Sequence, residues 1–256
     1  GAMIYNIQQA VANFEYVLSF VGLVFVVIIP ILTMRVIAEE RKQKTDQLLY
    51  SLPITTTDVV IGKYLALLVV YLIPLCIVSV YPSIFARYGE VYLPTSYGSI
   101  AAFFIMGAAL IAVGIFISSL TENQGFAAGI AIPVILLNYY SVSLAEHVSA
   151  TAFGSAAALC VFCALLGLVI RILTKDKKMA YAVAVVLAAA VWAAYILNSE
   201  AFEGLLPNIM KKISLFERFY TFVSGVFDLT AIIYYITVIV FFLFLSVQSL
   251  EKRRYN

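Results

Sequence analysis

Charged residues are scarce in this chain of 256 residues. Only 12% of the residues are Asp, Glu, Lys or Arg, whereas 64% are hydrophobic and the mean hydropathy is +1.03. A soluble domain carries about 25% charged residues. The composition therefore excludes an ordinary soluble domain and indicates an integral membrane protein, with membrane lipid as its main surroundings.

The residue types that catalysis and metal binding require are also few. The only histidine is His147, and the three cysteines all lie in apolar stretches, which favours packing over disulfides or a metal site. Gly62-Lys63 is followed by Tyr64, so the sequence lacks the Walker A loop that holds nucleotide phosphates. We therefore expect no catalytic residue, no metal site and no cofactor bound by this chain.

Ionisable side chains are absent from the inner part of every predicted span. Ion-coupled carriers keep such groups in the membrane, so an ion-driven mechanism is disfavoured. A spanning helix needs about 20 mostly apolar residues. Seven segments meet or approach this length: Tyr16–Met34, Val59–Ala86, Ser99–Leu120, Phe126–Ala145, Phe153–Ile170, Met179–Leu197 and Leu229–Leu250. The predicted fold is an all-α polytopic bundle of about seven spans that forms a single domain, residues 1–256.

The distribution of Lys and Arg predicts the orientation. Twelve of the sixteen fall in one set of alternating loops and four in the other, which assigns the first set, with the C-terminus, to the cytoplasm. The outer side then carries residues 198–228. Their apolar side chains recur at nearly helical spacing, which predicts one or two amphipathic helices lying on the outer membrane surface.

The cytoplasmic loop of residues 35–58 is the most charged segment. Glu40 and Lys44 are four residues apart with the acid first, a favourable helical pair. Pro53 would end this helix, and Asp58 can cap the next span. Four apolar residues can line one side of the helix: Ile37, Leu48, Leu49 and Leu52. Two interpretations remain open, a solvated loop whose charges only set topology, or a coupling helix that inserts into a cytoplasmic motor.

Several motifs carry a family resemblance. They are Ile29-Pro30 through Arg41, Thr45-Asp46-Gln-Leu48-Leu49, Val60-Ile-Gly62-Lys63-Tyr64, Gly114 through Gln124, and Phe216-Glu-Arg-Phe219. Together they resemble ABC type-2 transporter permeases, and most closely the gliding-motility-related exporter branch of bacteria. The resemblance covers most of the chain and is weakest between Val148 and Asn198.

The resemblance implies a permease subunit in the bacterial cell membrane that exports a substrate by alternating access. A separate cytoplasmic ABC ATPase would bind ATP and Mg, a second permease copy or a sister permease would complete the dimer, and no nucleic acid is expected as a partner. It also implies two contacts with the ATPase. The coupling helix would contribute Glu39, Glu40, Arg41, Thr45, Asp46, Leu48 and Leu49, and a second loop Thr121, Glu122, Asn123 and Gln124. Such permeases begin with one more span, which we expect to be missing here.

A polar cluster lies in the fourth predicted span, next to Pro133. Its members are Asn138, Tyr139, Tyr140 and Ser141. They can line a substrate path, or they can form hydrogen bonds between helices or an outer aromatic belt. Small residues in the third span, among them Gly107 and Gly114, predict close helix packing. The apolar character of the spans favours a lipid-like, peptide or hydrophobic drug substrate.

Two classes of function follow. The first is an exporter permease driven by a partner. The second is a membrane scaffold or sensor that transports nothing and uses the charged loop to recruit a cytoplasmic protein.

Overall fold

The computed structural model describes residues 14–45, 54–87, 91–148, 151–174 and 177–254, and within these ranges the regular structure is entirely helical. A 3-10 turn, Glu200–Phe202, accompanies eleven α-helices. They are α1 Phe14–Thr33, α2 Ala38–Gln43, α3 Thr56–Val78, α4 Tyr81–Phe85, α5 Leu93–Leu120, α6 Gln124–His147, α7 Ala152–Thr174, α8 Lys177–Leu197, α9 Leu205–Ile213, α10 Leu215–Val223 and α11 Leu229–Arg254.

The prediction of a polytopic helical membrane protein is confirmed. Five helical stretches in the described residues are long and apolar enough to cross a bilayer: Phe20–Gln43, Thr56–Phe85, Leu93–Leu120, Gln124–His147 and Leu229–Lys252. A sixth candidate is the pair Tyr181–Leu197 and Glu200–Ile213, which is bent by 119°. The fifth predicted span, Phe153–Ile170, lies within α7, Ala152–Thr174, of which Ala152–Ala164 is recognised as an apolar stretch among the described residues. Five or six candidate spans are thus recognised among the described residues, and the sequence predicted about seven.

The chain divides into two compact units. The first consists of Gly1–Tyr139 and Leu215–Asn256, and the second of Tyr140–Ser214. Within the first unit, α5 is the central helix and contacts α1, α3, α10 and α11. Most of its residues are buried, because its small side chains let neighbouring helices approach on several sides.

Two glycines of α5 show how close this packing is. The Tyr71 ring lies against Gly107, and its hydroxyl donates a hydrogen bond to the Phe103 carbonyl at 2.8 Å. A Cβ atom built on Gly114 would lie 2.7 Å from the Cβ of Thr33. The predicted close approach at Gly107 and Gly114 is therefore present, and it joins α5 to α3 and to α1.

The second predicted span, Val59–Ala86, corresponds to two consecutive helices. α3 contains Pro74 and ends at Val78, and α4 begins at Tyr81 with Pro82 in its first turn. The start of α3 differs in detail from the prediction. Thr55, not Asp58, is the N-cap, and Asp58 completes a capping box by accepting the Thr55 N–H at 3.1 Å.

The segment of residues 198–228 contains two short helices that differ in burial. It forms α9, in which no residue is buried, and α10, in which four side chains are buried. Phe219 packs edge-to-face on Phe103, and the Tyr235 hydroxyl donates to the Leu215 carbonyl at 2.7 Å. A helix lying on the bilayer surface would direct its apolar side to lipid. α10 instead directs it into the helices of the first unit.

The second unit contains the end of α6 from Tyr140 onward, together with α7, α8, the 3-10 turn and α9. A chain of edge-to-face ring contacts links its parts, from Phe153 to Trp192, then to Tyr195 and Phe202. The Ser155 hydroxyl accepts the backbone N–H of Leu206 at 3.3 Å, which satisfies one free donor in the first turn of α9.

Candidate functional site

The charged loop after α1 forms a short helix held close to α5. α2 spans only Ala38–Gln43, and its C-cap is Lys44, whose φ of 59° is left-handed. The sequence predicted a helix that continued to Leu52. In the structure the last residue of α2 is Gln43, nine positions before Leu52. Residues 46–53, which include Asp46, Leu48 and Leu49, lie outside the described residues.

Ser118, near the end of α5, fixes the start of α2. Its hydroxyl accepts hydrogen bonds from the backbone N–H groups of Ile37 at 3.2 Å and Ala38 at 3.1 Å. The same hydroxyl donates to the Met34 carbonyl at 3.2 Å. Ser118 is fully buried. One side chain therefore satisfies three backbone groups at a helix start, where donors are otherwise left without partners.

Lys63 of α3 holds the same segment from another side. Its ammonium group donates to the Val36 carbonyl at 2.6 Å and forms an ion pair with the Glu40 carboxylate at 2.5 Å. The predicted pairing of Glu40 with Lys44 is wrong. The helix ends before Lys44, and the Glu40 carboxylate forms its ion pair with Lys63. We call the contacts of Lys63 and Ser118 with residues 34–40 the loop clamp.

None of the predicted ATPase contact residues of the coupling helix that the structure describes is fully exposed. Arg41 is only 5% exposed and so lies inward. Glu39 is half-buried and accepts a hydrogen bond from Gln43, and the Thr45 hydroxyl donates to the Glu40 carbonyl at 3.3 Å. The exposed charged side chains of this segment are those of Arg35, Lys42 and Lys44. Within residues 34–45 the fully exposed charges are therefore basic, whereas Glu39 and Glu40 are partly exposed.

The second predicted contact, Thr121 to Gln124, is a tight turn between α5 and α6. The Thr121 hydroxyl accepts the Asn123 N–H at 3.1 Å, and the Asn123 side chain accepts the N–H groups of Gly125 and Phe126. Ser119, just before the turn, uses its carbonyl to accept the Ser249 hydroxyl of α11 at 3.1 Å. Glu122 is exposed, whereas Gln124 is half-buried. The turn is thus shaped by its own side chains and tied to α11.

The four residues of the polar cluster in α6 differ in their contacts and in their exposure. The Asn138 side-chain oxygen accepts the Leu215 N–H at 3.0 Å, and the Tyr139 ring packs edge-to-face on Phe216. Ser141 is buried and Tyr140 is 43% exposed. Asn138 and Tyr139 therefore contact α10, which agrees with hydrogen bonding between helices, one of the two interpretations drawn from the sequence.

Tyr220 of α10 is held in its neutral form beside this cluster. Burial raises the pKa of its hydroxyl, and the neighbouring Tyr139 and Glu217 raise the pKa further. Arg218 lies 4.2 Å above the centre of the Tyr234 ring, a cation–π contact between α10 and α11. α10 is thus fixed by polar contacts as well as by its phenylalanines.

Two residues of the clamp were not recognised as functional from the sequence, although both stood in the family motifs. Lys63 is a lysine about two turns into the apolar helix α3. Ser118 carries a hydroxyl near the end of α5. A buried charge or hydroxyl needs a partner, which is the signal that could have identified them. The sequence could not show which residue pairs with each of them. Ser118, for example, lies 80 residues from its partner Ala38.

The fold and the clamp define a polytopic helical membrane protein whose charged loop is fixed to its spans. The family model described as ABC-2 family transporter protein matches residues 3–145, more than half of the chain. The chain therefore belongs to the ABC-2 transporter family, whose members are the membrane permease subunits of ABC transporters. No curated protein and no solved structure matches the chain.

Proposed function

We propose that this chain is the permease subunit of an ABC exporter, and that α2 with its clamp transmits force from a separate cytoplasmic ATPase. The ATPase would bind ATP and Mg and hydrolyse the nucleotide, while this chain would alternate between inward-open and outward-open states. The observation that carries the proposal is the loop clamp. A loop that served only topology has no need to be fixed to two different spans.

The clamp supplies a direct mechanical path. A push on α2 reaches α1 through the chain, α3 through Lys63, and α5 through Ser118. α5 in turn packs against α10 and α11. Packed helices move as rigid elements, so displacement of one short helix can be passed to every span of the first unit.

The exposed basic side chains define the chemistry of the partner. Arg35, Lys42 and Lys44 would face an acidic cleft on the ATPase, while Glu40 and Arg41 would support the helix from within. Thr121 to Gln124, with Glu122 exposed, would form a smaller second contact. This assignment keeps the predicted docking segment and moves the contact onto residues that are accessible.

The wider setting is proposed from the family and from the sequence. The permease would lie in a bacterial cell membrane, with the C-terminus in the cytoplasm, and would pair with a second copy or a sister permease. Its motifs favour the gliding-motility-related exporter branch. The apolar spans favour a lipid-like, peptide or hydrophobic drug substrate over a sugar or an ion.

Reconstitution with an ABC ATPase encoded beside the permease gene tests the proposal. The two proteins are incorporated into liposomes, and ATP hydrolysis is measured with the native permease, with a Lys42→Glu, Lys44→Glu variant, and with a Tyr92→Phe variant. Tyr92 is 73% exposed and remote in sequence from the loop. We expect the native permease and the Tyr92 control to stimulate hydrolysis and the charge-reversed variant to stimulate it much less.

Two results would contradict the proposal. Equal stimulation of ATP hydrolysis by the native and the charge-reversed permease would show that these loop charges take no part in coupling. Binding of the ATPase with no change in hydrolysis would favour the scaffold or sensor instead. Insertion of each variant in the membrane is verified first, so that loss of stimulation is not confused with loss of protein.

A further inference from the structure

An apolar pocket opens between α1 and α3 in the first unit. Its volume is about 130 Å³. α1 contributes Val21 and Phe25, and α3 contributes Pro74, Leu75 and Val78. Apart from Phe25, which lies just past the middle of α1, these residues lie in the half of each helix that is farther along the chain from the loop clamp. The pocket is therefore separate from the proposed coupling path.

The lining offers a ligand almost no polar partner. Tyr71 lies at its base, but its hydroxyl is directed to the Phe103 carbonyl at 2.8 Å and is therefore engaged inside the protein. Phe25 packs edge-to-face on Tyr71 and on Phe103, which fixes the inner wall. A polar ligand would lose its hydration here without replacement, which is costly. An apolar cavity of about 150 Å³ in another protein stays dry and binds small hydrocarbons.

Large exposed apolar side chains flank the lining residues on α1 and α3, the helices of two candidate membrane spans. Phe20, Ile73 and Ile77 adjoin lining residues along α1 and α3, and each is at least 60% exposed. An occupant can therefore extend from the pocket into the bilayer without passing a charged group. This continuity suits a long flexible hydrocarbon chain better than a compact ring.

We propose that the pocket binds the end of an acyl chain from a bilayer phospholipid. The chain end fills the space between α1 and α3 and stabilises their packing in the half opposite the clamp. The proposal depends on the membrane position of the two helices and does not depend on the ATPase. Lipid binding in the pocket and coupling to an ATPase can therefore be tested separately, and disproof of one leaves the other unaffected.

Photo-crosslinking in nanodiscs tests it. The probe is a phosphatidylcholine with a diazirine near the end of one acyl chain, and labelled peptides are mapped by mass spectrometry. We expect label to concentrate on the lining residues of α1 and α3. Val21→Phe and Val78→Phe fill the pocket from opposite walls and should each lower this labelling severalfold. Val24→Phe is the matched control, because Val24 is on the same helix, is 39% exposed and is not part of the lining.

Three results would overturn the proposal. Labelling spread evenly over the lipid-facing helices would show that the pocket has no preference for an acyl chain. Unchanged labelling in both filled variants, with helix content confirmed by circular dichroism, would place the bound chain elsewhere. Labelling by a single-chain diazirine fatty acid but not by the phospholipid would assign the site to a different source of hydrocarbon.

Discussion

The Ser118 hydroxyl accepts the backbone N–H of Ala38 at 3.1 Å, and this bond joins the end of a central membrane helix to the start of the charged loop helix. The same oxygen accepts the N–H of Ile37. A hydroxyl with two acceptor lone pairs is suited to this task. Removing this hydroxyl should therefore leave both N–H groups without an acceptor.

Ser118→Ala should lower the free energy of unfolding by about 1–3 kcal/mol, because buried backbone donors lose their acceptor. It should also weaken stimulation of the ATPase, since α2 is no longer fixed to α5. Thermal unfolding followed by circular dichroism measures the first effect. Ser119→Ala is the neighbouring control, because its hydroxyl donates only within its own helix, to Phe116. Equal loss of stability in both variants would contradict the role given to Ser118.

Lys63→Met and Glu40→Gln should each destabilise the loop, and their effects should not add. The two side chains are 16% and 36% exposed, so water screens the pair and a coupling energy of about 0.5–1 kcal/mol is expected. A double-mutant cycle on unfolding free energies measures it. Lys42→Met, at an exposed position, should leave stability unchanged. Strict additivity of the two changes would show that the ion pair contributes nothing.

Gly114→Ala and Gly107→Ala should each cost about 1–3 kcal/mol, because the added methyl group meets Thr33 or the Tyr71 ring at less than normal contact distance. Gly98→Ala is the control on the same helix. A Cβ at Gly98 meets nothing within 4 Å, and alanine favours a helix over glycine by about 0.5–1 kcal/mol. Unfolding temperature should therefore fall in the first two variants and hold or rise in the third. A fall of equal size in all three would contradict the packing described.

Asn138→Leu and Tyr235→Phe should loosen α10, because both side chains bond the backbone of Leu215, at 3.0 and 2.7 Å. Each change should cost about 1 kcal/mol. Hydrogen exchange of the α10 amides, read by mass spectrometry, should become faster in both variants. If Asn138→Leu left hydrogen exchange and the unfolding temperature unchanged, the hydrogen bond to Leu215 would not stabilise α10. That result would favour the interpretation in which Asn138 lines a substrate path.

The sequence predicted the class of fold well and the details of the loop poorly. Apolar length alone located the long helices, because a bilayer demands unbroken apolar segments. The same reasoning failed at the short helices. It could not show that α10 packs inward, since an amphipathic pattern fits a bilayer surface and a helix bundle equally well.

The loop shows a second limit. Glu40 and Lys44 satisfied a local spacing rule, yet Glu40 pairs with Lys63, a residue 23 positions away. Local pairs contribute about 0.2–0.5 kcal/mol, which a better-placed and less exposed partner readily exceeds. Contacts that connect distant parts of the chain decide the clamp, and spacing rules carry no information about them.

The side of the membrane on which α2 lies is the most direct test of the proposed coupling to a cytoplasmic ATPase. Lys42→Cys is introduced in a background with Cys76, Cys160 and Cys163 replaced by alanine, and a membrane-impermeant maleimide is applied to intact cells and to inverted vesicles. We expect position 42 to be labelled in inverted vesicles and not in intact cells, because the loop must face a cytoplasmic ATPase. Labelling of position 42 in intact cells would place the loop outside and contradict the proposed coupling.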